Sequence, residues 1–173
     1  MDTVELGTSN CLQFTKVGAF MIRIMFVCHG NICRSPMAEF LFRDLVKKRG
    51  LEDLFIIASS ATSAEELGNS VHHGTRNKLK EYGISTEGKR AVQLRKNDYE
   101  NYEYLIAMDE RNITNIHRII GHDSKKKVFR FLDFTENSRD IADPWYTGDF
   151  DQTYQDICEG CESFLNYILK QRD

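Results

Sequence analysis

The chain has 173 residues, 41% hydrophobic and 28% charged, with a formal net charge of −3. That length is one domain's worth and long enough to bury a full core, and the charge gives no electrostatic reason to expect a nucleic-acid or anionic-membrane partner. No apolar run approaches the ~20 residues that spanning a bilayer requires, and the five cysteines are odd in number with no secretory signal before them, so they read as free thiols in a reducing cytoplasm.

Residues 1–20 contain Asp2, Glu5 and Cys11 and lack a positive n-region followed by an apolar h-region. They read as a dispensable extension, with Met21 as a natural start, and residues 21–173 read as a single domain. The apolar run Ile22 to Val27 predicts a buried strand ending at Cys28. A helix follows from Ser35, whose hydroxyl is a capping group, with Pro36 in the first turn. It places Met37, Phe40, Leu41 and Leu45 on one face and stops at Gly50. Leu54 to Ala58 predicts a second buried strand, followed by a polar stretch from Ser59 to Asn69. A helix is expected from Ser70 to Tyr82, with His72 and His73 as surface or capping residues at its start and Gly83 as its stop. Residues 84–99 read as a loop with a short helical piece.

The third strand is Tyr104 to Met108, ending at Asp109, and the next helix runs from Glu110 to Ile120 and closes at Gly121. Lys127 to Leu132 predicts the fourth strand, and the basic group Lys125, Lys126 and Lys127 reads as a solvated turn leading into it. An acidic loop then holds Asp140, Asp143, Pro144, Trp145 and Tyr146. The last helix starts near Phe150 and aligns Tyr154, Ile157, Cys158, Cys161, Phe164, Leu165, Ile168 and Leu169 on one face. The Cys158–Cys161 spacing matches metal and redox motifs, but both residues fall on that apolar face without a second ligand pair, so they read as core.

Uniformly apolar strands alternating with helices predict a three-layer, doubly wound α/β fold: a parallel sheet with helices on both faces. Such sheets bind ligands outside the carboxyl ends of their strands, where the winding reverses. Cys28, Ser59, Asp109 and Asp133 all fall just past predicted strand ends.

Between the first strand and first helix lies Cys28-His29-Gly30-Asn31-Ile32-Cys33-Arg34-Ser35-Pro36. A turn there closes backbone N–H groups around an anion, with the helix N-terminus aimed at it. Cys28 sits at the base, where converging N–H groups, the helix end and an adjacent arginine favour a thiolate nucleophile. The planar fork of Arg34 matches two oxygens of a phosphoryl group. Gly30 permits close backbone approach, Asn31 tolerates the left-handed conformation, and Ser35 can donate its hydroxyl hydrogen to the sulfur.

Val27 to Glu39 resembles the signature of the low-molecular-weight protein-tyrosine phosphatases. The resemblance continues through Ser59 to Ser63, Gly68-Asn69, Ala107-Met108-Asp109 with Asn112, and Asp143-Pro144-Trp145-Tyr146, covering about residues 21–170. It implies a four-stranded parallel sheet, hydrolysis without metal or other cofactor, and a cysteinyl-phosphate intermediate. It further implies Cys28 as nucleophile, Arg34 as phosphate clamp, Ser35 as thiolate partner, and a phosphate loop of His29, Gly30, Asn31, Ile32 and Cys33. Asp143 is implied as the acid that protonates the leaving phenol and the base that then activates water; the residues alone leave Asp109 and Asp133 as rivals. Ile32, Trp145 and Tyr146 form the expected pocket wall for an aromatic ring, and Cys33 the expected partner for reversible oxidation of Cys28. Where the family often carries a histidine, this chain has Lys89-Arg90-Ala91-Val92-Gln93, which puts a histidine-linked network behind the loop in question.

The expected substrate is a phosphotyrosine protein or aryl phosphate, with inorganic phosphate as product, acted on in the cytoplasm by a monomer or weak dimer. Arsenate reduction is the first alternative, but it requires relay cysteines after the second helix, and residues 83–110 have none. Phosphoarginine hydrolysis is the second, in a branch with threonine where this chain has Ile32. A catalytically silent phosphate or phosphopeptide binder is the third.

Overall fold

The computed structural model describes residues 20–172; the expectation for the extension, including Cys11, lies outside them. The first strand, β1 (Ile22–Cys28), is buried from Ile24 onward, as a central strand covered on both faces requires. The first helix, α1, spans Arg34–Lys48. Ser35 does not cap it: Cys33 takes the cap position with no side-chain cap bond, and Ser35 lies inside the first turn. The buried stripe centres on Met37, Ala38, Leu41, Phe42 and Val46, which leaves the predicted core residues Phe40 and Leu45 at its edges.

A single 3-10 turn leads into β2 (Phe55–Ala61). This strand runs three residues past the apolar run, because Ser59, Ser60 and Ala61 continue the parallel ladder opposite Phe26, Val27 and Cys28. Backbone pairing here overrides the side-chain pattern. The second helix, α2 (His73–Lys80), begins later than its spacing predicts, since His72 caps it by accepting the Gly74 N–H. The short helical piece expected in the next loop is α3 (Asp98–Asn101). Then come β3 (Tyr104–Ala107) and α4 (Glu110–Ile120), closed by Gly121 at φ 84°. The fourth strand, β4 (Val128–Arg130), is only three residues long; Phe131 to Phe134 coils instead into a 3-10 turn that buries Phe131 and Leu132. The chain ends with α5 (Pro144–Thr147) and α6 (Phe150–Lys170).

The sheet is four-stranded and parallel in the order β2-β1-β3-β4. The chain winds outward in both directions from β1, so the loop after β1 opens at the reversal point where this topology leaves a crevice. Alternation along β1 divides the core into two layers. Ile24, Phe26 and Cys28 face α1 and α6, whereas Met25 and Val27 face Ile116 and Ile120 of α4. This is the predicted three-layer arrangement.

The thicker layer is aromatic. Phe164 of α6 meets Phe134, Tyr104, Phe42, Phe131 and Phe26 at ring-centroid distances of 4.7, 5.2, 5.7, 6.2 and 6.5 Å. Cys161 is in the same layer, and burial pushes its thiol well above the ordinary range; burial also raises Cys158. Thiols held protonated in this way are poor nucleophiles, in keeping with the core reading of the pair. Among the described residues no helix is long and apolar enough to cross a membrane, and no group of His, Cys, Asp and Glu is arranged to hold a metal ion.

Because Phe164 joins α6 to the sheet, to α1 and to the 3-10 turn, Phe164→Ala is expected to destabilise the fold by about 3–5 kcal/mol, the usual cost of removing a buried phenyl ring. Urea denaturation measures this, and a loss below about 1 kcal/mol would show that the layer repacks around the void.

Candidate active site

The loop that follows β1 is held in shape by one side chain. Asn31 sits at φ 56°, in the left-handed region that asparagine enters more readily than most residues. Its amide nitrogen donates to Ser35 Oγ at 2.8 Å and to Ser59 Oγ at 2.9 Å, and its oxygen accepts the Val92 N–H at 3.1 Å. All of its polar capacity but one lone pair is therefore engaged. With Ser35 Oγ already accepting from Asn31, its own proton points outward, and Cys28 Sγ lies 3.0 Å away, closer than the Ser60 carbonyl at 3.4 Å. The expected cap is thus a hydrogen-bond partner of the sulfur. Among the described residues, the backbone N–H groups from Gly30 to Arg34 find no acceptor.

Behind Asn31 the chain of bonds continues into a buried carboxylate. Ser59 Oγ donates to Glu39 Oε2, and the same oxygen lies 2.8 Å from Lys89 Nζ, which also reaches the Ser59 carbonyl at 3.2 Å. Arg43 meets the other oxygen at 2.8 Å. Glu39 is 2% exposed, a burial that a carboxylate tolerates when it is paired and hydrogen-bonded. Lys89 therefore stands where the resemblance anticipates a histidine, and it joins the network through Glu39.

Arg34 is 2% exposed. Its Nη1 donates to Asp109 Oδ2 at 2.5 Å and to the Ile141 carbonyl at 2.9 Å, and its Nη2 donates to Asp143 Oδ2 at 3.0 Å. Its buried Nε has no partner. Burial opposes the guanidinium charge, but Cys28, Asp143 and Asp109 outweigh it and hold the pKa above the ordinary range. Of the three rival aspartates, two converge here. Asp109 also caps α4 through the Asn112 N–H at 2.7 Å, and Asp143 caps α5 through the Trp145 N–H at 3.1 Å. Asp133 is elsewhere, bonded to Arg130 at 2.8 Å.

The cleft above Cys28 is lined by His29, Ile32, Trp145 and Tyr146 among others, and also by Glu65 and Glu66. Trp145 and Tyr146 stand 56% and 80% exposed, forming a rim. His72 ties this rim to the loop: its N–H donates to the Ile32 carbonyl at 2.9 Å, and its ring stacks on Phe150 at 5.2 Å with its edge toward Trp145 at 5.6 Å. Burial, His73 and Arg76 lower its pKa, which favours the neutral ring whose Nδ1 accepts the Gly74 N–H. Cys33 is buried in a small cluster with Ile32 and Ala91, and burial with the nearby Cys28 pushes its thiol up to about 12.

Sequence reasoning missed Glu39, Glu65 and Glu66. Glu39 carried a signal, a carboxylate in the otherwise apolar stretch Met37 to Phe42. Glu65 and Glu66 carried none, lying in a polar segment without periodicity.

A protein-family model described as low molecular weight phosphotyrosine protein phosphatase matches residues 23–173. The low molecular weight protein-tyrosine-phosphatase YfkJ of Bacillus subtilis is 42% identical over 154 residues, covering 88% of this chain and 99% of that protein. Its crystal structure superposes with a TM-score of 0.85 over 89% of this chain and 98% of that one. The low molecular weight protein tyrosine phosphatase SP-PTP of Streptococcus pyogenes is 38% identical, with a TM-score of 0.76 over 85% of this chain and 93% of that one. The chain belongs to the low molecular weight phosphotyrosine protein phosphatase family, and it is a phosphatase built on the fold and loop described above.

Proposed function

We propose that the chain hydrolyses phosphotyrosine through a phosphoryl group carried on Cys28. The observation that bears most weight is the unpartnered, buried Nε of Arg34 together with a run of unbonded N–H groups in the loop that links it to Cys28, whose sulfur lies 3.0 Å from Ser35 Oγ. Donors left free in a buried loop are costly unless an anion meets them, and a tetrahedral phosphoryl group offers several oxygens to such a ring.

In this reading the Cys28 thiolate attacks phosphorus while the bond to the phenolic oxygen breaks and Asp143 delivers a proton to that oxygen. Asp143 Oδ2 is bonded to Arg34 Nη2, so substrate binding exchanges that contact for a phosphoryl oxygen and frees the carboxyl group. Asp109 stays on Nη1 and keeps the guanidinium in plane. In the second half, the Asp143 carboxylate takes a proton from water, the water oxygen attacks phosphorus, and the S–P bond breaks. The Ser35 hydroxyl stabilises the departing thiolate as it did the nucleophile. Ile32, Trp145 and Tyr146 receive the ring, where aromatic contacts add about 0.5–1.5 kcal/mol beyond area burial. Once peroxide has converted Cys28 to a sulfenic acid, Cys33 condenses with it and releases water, which protects the nucleophile from further oxidation. A thiol held protonated makes that closure slow.

Cys28→Ser is expected to abolish turnover of p-nitrophenyl phosphate, and measurable residual hydrolysis would remove the nucleophile assignment. In Asp143→Asn, kcat falls by about 10²–10⁴ for phenyl phosphate and much less for p-nitrophenyl phosphate, whose leaving group needs no proton. Equal losses on both substrates contradict the role of Asp143. Lys89→Met leaves Glu39 with a single cation, which is expected to cost about 3 kcal/mol in urea denaturation and to lower kcat by loosening Asn31. The Glu39→Gln/Lys89→Met double variant regains part of both, whereas an additive loss would deny the coupling.

A further inference from the structure

The phosphatase reading accounts for the floor of the cleft and leaves two charges at its mouth unused. Glu65 and Glu66 both line the cleft, and the segment that carries them is fixed to the phosphate loop. Thr62 N–H donates to the Cys28 carbonyl at 2.9 Å, Ser63 N–H to the His29 carbonyl at 3.0 Å, and Asn69 N–H to the Glu66 carbonyl at 3.0 Å. The Glu66 side chain lies across Gly30, where a Cβ would come within 3.2 Å of Glu66 Cγ. These carboxylates are therefore positioned over the loop by backbone bonds and by packing.

Neither has a lysine or arginine partner among the described residues. Glu65 meets His29 Nε2 at 3.1 Å, and Glu66 accepts from the neutral Asn69 amide at 2.6 Å. The single arginine of the cleft is already shared by Asp109 and Asp143. A phosphoryl dianion thus enters past two carboxylates whose one ionisable partner among the described residues is the His29 imidazole against Glu65. Its own charge is met by loop N–H groups below, but an acidic residue beside the phosphotyrosine would face like charge at the rim. A basic one would meet two acceptors. Complementary charge at an entrance chooses among partners more than it sets raw affinity.

We propose that Glu65 and Glu66 form a subsite that selects phosphotyrosine flanked by lysine or arginine, within about two residues given the rise of an extended peptide. This rests on the phosphatase reading and names its substrate class.

The test compares two phosphotyrosine peptides that differ only in having lysines or aspartates on both sides of the phosphotyrosine, with p-nitrophenyl phosphate as a substrate without flanks. For the wild type at low salt, kcat/KM on the basic peptide is expected to exceed that on the acidic one by about tenfold or more, and the ratio should shrink in high salt. Glu65→Gln/Glu66→Gln brings the ratio toward unity, and Glu65→Lys/Glu66→Lys inverts it. A wild-type ratio near one, or a ratio unchanged in both variants, overturns the subsite. Failure of the wild type to hydrolyse p-nitrophenyl phosphate would instead overturn the phosphatase reading, so the two failures are distinguishable.

Discussion

The candidate site depends on the three bonds made by the amide of Asn31. A left-handed residue in a tight loop is a conformational cost, and here it is offset by hydrogen bonds to Ser35, Ser59 and Val92, which lie on three different segments. Asn31 thereby fixes loop shape and proton direction together. Ser35 and Ser59 each accept from Asn31, which leaves the Ser59 proton for Glu39 and the Ser35 proton for Cys28 Sγ or the Ser60 carbonyl. Glu39 anchors the far end, and Lys89 and Arg43 hold its charge. A carboxylate in α1, a lysine from the loop after α2 and a serine in β2 are thus linked to the sulfur at the end of β1.

A second constraint is charge. Arg34 is buried under two carboxylates, Asp109 and Asp143, one from the end of β3 and one from the loop before α5. The arrangement draws these segments to one point and fixes the orientation of the guanidinium. It also leaves Glu65 and Glu66, at the mouth of the cleft, without a lysine or arginine partner among the described residues. Under the proposed function the floor receives an anion and the rim a cation, and a phosphotyrosine in a basic stretch of chain presents both.

The helices and strands that carry a full apolar period were legible in the sequence, as were the loop and the doubly wound order. Boundaries failed where a bond partner mattered more than a pattern. Ser59 and Ser60 read as loop because they are polar, yet the ladder opposite Phe26 and Val27 holds them in β2. Lys127 to Leu132 read as one strand, yet Phe131 turns inward to meet Phe26 at 5.1 Å, and the strand stops at Arg130. Ser35 had the chemistry of a cap, but its position one turn above the sulfur gave the hydroxyl another partner. The three rival aspartates could not be ranked from the chain, since only tertiary packing brings Asp109 and Asp143 to Arg34 and sends Asp133 to Arg130. The link through Lys89 was illegible for the same reason: Glu39, 50 positions earlier in the chain, supplies the connection.

The claim on which the rest turns is that Cys28 carries the phosphoryl group, and trapping that species addresses it most directly. With Asp143→Ala, which lacks the base for the second half of the reaction, rapid acid quench during turnover of p-nitrophenyl phosphate followed by peptide mass spectrometry should find one added phosphoryl group on the peptide containing Cys28. Recovery of that peptide unmodified, while nitrophenol is released in a burst matching the enzyme concentration, would contradict the account.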